Sequence, residues 1–122
     1  MTVAADAERT QRFPSRHRLR KRHEFLALQR DGRRHNGPRF VVITRPGGAG
    51  GTRLGITTSR KVGSAPRRNR IRRLVREFFR RHRARIEPPR ELLVIARPGI
   101  DAITYDDVVH ELSRALGLAA GV

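Results

Sequence analysis

Apolar residues fall in short clusters separated by charged, glycine-rich or proline-rich stretches, and the period inside each cluster predicts its element. His23 to Arg30 reads as a short helix in which Phe25, Leu26 and Leu28 could share a side, stopped at Asp31-Gly32. Arg39 to Arg45 (RFVVITR) is rich in β-branched residues and reads as a strand. Pro46 to Gly51 (PGGAGG) is a turn, and Arg53 to Ser59 (RLGITTS) reads as the returning strand, so the pair predicts an antiparallel hairpin with a long tip. Pro66 to about Arg85 is the clearest helix. Ile71, Leu74, Val75, Phe78 and Phe79 fall at i, i+3, i+4, i+7 and i+8, one apolar stripe. Ser64 is placed to cap it, and Pro66 suits a first turn. Pro88-Pro89 ends it, and Glu91 to Arg97 (ELLVIAR) fits a central strand buried on both faces. Thr104 to Leu118 is a last helix, opened by a capping-box pair of Thr104 and Asp107 and buried through Leu112, Ala115 and Leu116.

Residues 1–15 read as a loose tail, 16–118 as one domain and 119–122 as a short C-terminal tail. Arg16 to Lys21 is a basic patch with Leu19 as its possible anchor. The order is helix, two or three strands, helix, strand, helix, hence an α+β fold.

Charge changes this picture most. The chain has 122 residues, a net charge of +17 and arginine for nearly every cation, Lys21 and Lys61 being the only lysines. Such a charge opposes compaction unless something anionic is bound. Guanidinium forks match phosphate bidentately and stack on bases, which favours nucleic acid over a membrane or an acidic protein. There is no cysteine, hence no thiolate metal site. Neither a signal peptide nor a span of ~20 apolar residues is visible, which makes the cytoplasm the expected location.

The cations concentrate where the central helix begins. Of the fourteen residues Arg60 to Arg73, seven are cationic, and they straddle a loop-to-helix junction whose N-terminus adds partial positive charge. Asn69, Arg72, Arg73, Arg76, Arg80 and Arg83 lie opposite the apolar stripe, with Arg68 and Arg70 flanking it. A solvated face normally mixes signs, yet Glu77 is this helix's only acid before Glu87. Asn69 could fix an arginine or reach a base edge or 2′-OH.

Lys61-Val62-Gly63 followed by Arg68-Asn69-Arg70-Ile71-Arg72-Arg73 resembles the signature of the bacterial ribonuclease P protein family, an Arg-Asn-Arg motif on a helix after a Lys-x-Gly loop. Arg18-Leu19-Arg20 before His23-Glu24-Phe25, Arg39-Phe40-Val41, Arg53-Leu54-Gly55-Ile56-Thr57 and Val94-Ile95-Ala96-Arg97 resemble further parts of that family in the same order. The likeness runs from about Arg16 to Leu118. It implies an α/β sandwich, order α-β-β(-β)-α-β-α, in which the motif helix joins parallel strands by a left-handed crossover. It also implies removal of the 5′ leader from precursor tRNA, with hydrolysis done by an RNA subunit using Mg²⁺ and no catalytic residue in the protein.

By the same resemblance Arg68, Asn69, Arg70, Arg72, Arg73 and Arg76 contact the RNA subunit. Phe25, Phe40, Arg60 and Lys61 contact the leader in a cleft of the sheet and first helix. Gln29 and Pro98 depart from the pattern: the first helix often has a second aromatic at the one position, and a basic residue often follows the strand at the other.

The rival readings are a general RNA-binding or ribosome-associated protein, a DNA-binding protein and a stand-alone nuclease. The last would want clustered carboxylates, which the sequence does not offer. His17, His23, His35, His82 and His110 lack metal-ligand spacing and read as surface or RNA-proximal groups. Asp106, Asp107 and Glu111 read as helix-start and surface acids. Glycines 47, 48, 50 and 51 lack the lysine and hydroxyl of a P-loop.

Overall fold

A computed structural model describes residues 18–19, 21–48, 51–100 and 102–118. The two expected tails, Arg16, His17 and Arg20 of the basic patch, and the middle of the glycine-rich turn lie outside them.

Helix α1 spans Arg22–Asp31, followed by strands β1 (Arg33–Asn36), β2 (Phe40–Pro46) and β3 (Arg53–Thr57). A 3₁₀ turn at Arg60–Val62 leads into helix α2 (Ala65–His82), which ends in a second such turn, Arg83–Arg85. Strand β4 (Arg90–Ala96) and helix α3 (Tyr105–Leu116) complete the described chain. Three helices around one mixed sheet make the expected α+β fold.

The sheet order is β1-β2-β4-β3. The expected β2–β3 hairpin does not form. β4 lies between them, antiparallel to β2 (Val42 opposite Val94) and parallel to β3 (Ile56 opposite Val94). The reason is burial: Leu92, Leu93 and Val94 are all inaccessible, and only a strand flanked on both edges and covered on both faces can hide such a run. The strand absent from the sequence reading is β1. Its residues, RRHN, carry no apolar signal, and it pairs at the sheet edge with β2. At the other edge, Leu19 N–H donates to the Leu54 carbonyl at 2.9 Å, and Arg18 bridges to Leu54.

Two cores sandwich the sheet. On one face Phe40, Val42, Leu92 and Val94 meet Ile71, Val75, Phe78 and Phe79 of α2 and Val108, Leu112 and Leu116 of α3. Fully burying each such side chain contributes about 1.5–3 kcal/mol. On the other face Leu19, Leu28, Val41, Ile43 and Leu93 form a smaller cluster with Phe25 and Ile95 against it. Leu19 is thus an anchor, as expected. Leu26 is not a partner of Phe25 and Leu28: it is 48% exposed, because 100° per residue turns it away from Leu28.

Two polar groups expected at the surface are structural. Glu111 is buried and accepts from the backbone N–H groups of Arg39 (2.9 Å) and Phe40 (2.7 Å), tying α3 to the start of β2. His82 continues the apolar stripe of α2, stacks on Phe78 with ring centres 4.4 Å apart, and holds Nδ1 2.9 Å from the Phe78 carbonyl.

Candidate nucleic-acid interface

Helix α2 presents the cations because its other side is fixed. Ser64 caps it, accepting from the Arg67 N–H, and Ile71, Val75, Phe78 and Phe79 hold it on the sheet. The arginines are therefore carried by a rigid cylinder rather than by a loop.

They do not behave alike. Arg73 and Arg76 are exposed on the outer side. Asn69 Oδ1 accepts from Arg72 at 3.1 Å, so Asn69 does fix an arginine. Arg68 is half-buried, and its Nε finds no hydrogen-bond partner among the described residues. Arg70 donates to the Ile103 carbonyl at 2.9 Å and so also ties α2 to the loop before α3. Further along, Arg80 and Arg81 are both paired with Glu77, and Arg83 donates to the Thr52 carbonyl. The two arginines paired with Glu77 thus lie in the last third of the helix.

Arg18, which the sequence reading left in the basic patch, belongs with this group. Partial desolvation of the otherwise exposed Arg76 side chain, then repulsion from Arg18 and from Arg72, lowers the pKa of its guanidinium below the ordinary value. Arg76 is thus repelled by Arg18, whose backbone bridges to β3, and by Arg72, and an anionic phosphate beside it would relieve that repulsion. The β3–Leu19 pairing that carries Arg18 there has no simple sequence signature, since Arg16–Lys21 lacks strand alternation.

The second face of interest is that of α1. Phe25 is half-buried, with its ring over Gly55 of β3; a Cβ on Gly55 would stand 2.9 Å from Phe25 Cε1. This glycine is a close-approach site, and its lack of a side chain is what admits the aromatic ring. On the same face, beyond Phe25, Thr57 and Ile95 pair across the sheet and are half-buried. β3 then runs into the turn bearing exposed Arg60 and Lys61, pinned by buried Val62.

An ion-pair ladder fixes α1 above this surface. Glu24 of α1 pairs with Arg53 of β3, Arg53 with Glu91 of β4 at 3.2 Å, and Glu91 with Arg45 of β2 at 2.6 Å.

Phe40 does not belong to this surface. It is fully buried on the opposite face, against α2 and α3. Alternation along β2 sends Phe40 and Val42 to one side and Val41 and Ile43 to the other, and a strand buried on both faces hides which set is which. Its expected leader contact is therefore withdrawn.

Among the described residues no group of three His, Asp or Glu side chains could hold a metal ion, and no helix is long and apolar enough to cross a membrane.

Comparison with known proteins agrees with this fold. A sequence profile of the ribonuclease P family, described as "Ribonuclease P", matches residues 13–120. The ribonuclease P protein component of Syntrophus aciditrophicus is 36% identical over 99 residues, 81% of this chain and 83% of that one. That of Dictyoglomus turgidum is 43% identical over 105 residues, 85% and 86% of the two chains. Among solved structures, the RNase P protein of Staphylococcus aureus superposes with a TM-score of 0.74 at 31% identity, covering 83% of this chain and 93% of that one. The RNase P protein of Thermotoga maritima gives 0.72 at 36% identity, covering 81% and 94%.

Proposed function

The chain belongs to the ribonuclease P protein family, and from that premise we propose how it divides its work between two RNA surfaces. It is the protein component of ribonuclease P, an endoribonuclease of tRNA processing. The α2 face, with Arg68, Asn69, Arg70, Arg72, Arg73 and Arg76 joined by Arg18, docks the RNA subunit. The α1 face, with Phe25, Arg60 and Lys61 above a floor of Thr57 and Ile95, takes the single-stranded leader of precursor tRNA. Stacking on the Phe25 ring and charge from the turn are the two ingredients a single strand needs, at about 1–3 kcal/mol per stacked base.

Hydrolysis belongs to the RNA subunit. The acids of the described residues are mostly committed to arginines, as in Glu24–Arg53 and Glu77–Arg80, and form no metal-binding group. They do not fit Mg²⁺, so we place the Mg²⁺ of the holoenzyme on RNA phosphates and derive no step through it in the protein. The observation that carries the reading is a helix whose apolar stripe is buried on the sheet while Arg73 and Arg76 stand exposed on its other side.

The test is reconstitution. The protein alone leaves precursor tRNA intact, and adding the matching RNA subunit with Mg²⁺ at near-physiological salt restores leader removal. Cleavage by RNA-free protein would overturn the division of labour. The Arg72→Ala/Arg76→Ala chain should bind the RNA subunit more weakly, with a flatter salt dependence. If only leader affinity changed, the assignment of the α2 face would be wrong.

A further inference from the structure

We propose that the groove between β1 and the C-terminal turn of α3 is an additional RNA site, one that takes an unpaired ribonucleotide stretch independently of the α2 and α1 surfaces. The groove has a volume of about 640 Å³, within the range of sites that bind small ligands and large enough for a nucleotide.

Register determines which side chains face it. Arg33 stands opposite Thr44, His35 opposite Val42 and Arg90 opposite Pro46, so all three share the side of buried Val42. Arg114 reaches it from the last turn of α3. Arg34 and Arg45 lie at its margin and are already bonded, to Asn36 and Glu91.

Two features separate this groove from a solvated surface. No carboxylate lines it, whereas Glu24, Glu77 and Glu111 accept from arginines elsewhere and Glu91 accepts from Arg45 at its margin. Among the described residues Arg33, Arg90 and Arg114 make no side-chain hydrogen bond or ion pair, so three guanidiniums are left to a visitor.

The floor is apolar. Val42, Ala115 and Leu116 lie beneath walls of Pro46 and Pro88, a surface suited to the face of a base, with the His35 ring available for stacking. The cations would then meet the flanking phosphates. A duplex keeps its base faces stacked inside, so the ligand is single-stranded.

The helix end is no obstacle. Gly117, in the left-handed conformation, donates its N–H to the Arg114 carbonyl, and Leu118 N–H donates to that of Ser113, which uses up part of the negative end of α3. The site is also spatially separate. β1 is one edge of the sheet and β3, with Arg18, is the other, so one RNA strand can occupy the groove while α2 is engaged.

The experiment uses the full chain and a labelled ten-nucleotide oligouridylate, read by anisotropy across a salt series and by methyl NMR. On titration the methyl signals of Leu116 and Ala115 should shift. In a chain already carrying Phe25→Ala and Lys61→Ala, which disable the α1 surface, adding Arg33→Ala/Arg114→Ala should weaken binding several-fold, with a salt slope flattened by about 1.4 for two lost contacts to a single strand. The Arg72→Ala/Arg76→Ala chain should lose RNA-subunit affinity and keep the Leu116 shifts, so this site and the α2 docking face fail separately. The methyl map needs no variant and decides the matter even if the groove variant unfolds. Oligouridylate shifts that bypass Leu116 and Ala115, unchanged binding by a folded groove variant, or equal shifts with inorganic phosphate alone would each overturn the proposal.

Discussion

At the residue scale, Phe25 and Phe40 show what decides whether an aromatic side chain serves packing or recognition. Both open an apolar cluster, yet Phe40 is sealed between the sheet and two helices, whereas Phe25 lies at a helix margin over a glycine. Phe25→Ala should weaken binding of leader-bearing tRNA more than of mature tRNA, by about 1–3 kcal/mol if one base stacks on the ring. Affinity titrations of the two tRNAs check this, and equal loss for both would return Phe25 to packing alone. The cationic residues of α2 were legible in the sequence because helical geometry alone separates them from the apolar stripe. Their individual partners were not: nothing local reveals that Arg70 holds the Ile103 carbonyl, 33 residues away. Nor does the isolated letter E at position 111 announce a buried carboxylate serving two backbone N–H groups of β2.

At the element scale, helices were readable and strand pairing was not. The stripe on α2 and the caps Ser64 and Thr104 are local signals, and the structure uses all three. Strand partnership is non-local, and two β-rich runs joined by a glycine turn look alike whether or not a later strand enters between them. The reciprocal cap of α3 can be tested directly. Asp107 N–H donates to Thr104 Oγ1 at 3.1 Å, and Thr104 N–H donates to Asp107 Oδ2 at 2.9 Å. Thr104→Ala should cost about 1 kcal/mol of unfolding free energy, measured by denaturant titration. The backbone N–H of Thr104, followed by its hydroxyl, holds the Asp107 carboxyl below its usual range. A depressed folded value means a contribution fully present above the unfolded carboxylate value, about pH 4, and lost as pH falls through the folded one. Asp107→Asn should therefore be less sensitive to acid over that interval than the parent chain.

At the scale of the whole molecule, 28 cationic and 11 acidic side chains share 122 residues, so counterion release dominates association with RNA. If six phosphates are contacted, RNA-subunit affinity should fall about a thousandfold between 50 and 200 mM salt. A filter-binding series checks this, and a flat dependence would show that the arginine surfaces are not the contact. The order β1-β2-β4-β3 has a bearing on synthesis as well. β2 and β3 run in opposite directions yet share no hydrogen bonds, and the segment that joins them is the last strand to leave the ribosome. Until residue 96 has emerged, the nascent polypeptide is a positively charged thread with unmated ladder edges, held beside the most abundant polyanion in the cell. Its acquisition of shape is therefore postponed to the end of translation, and a stalled or shortened product lacks the strand that would complete the sheet.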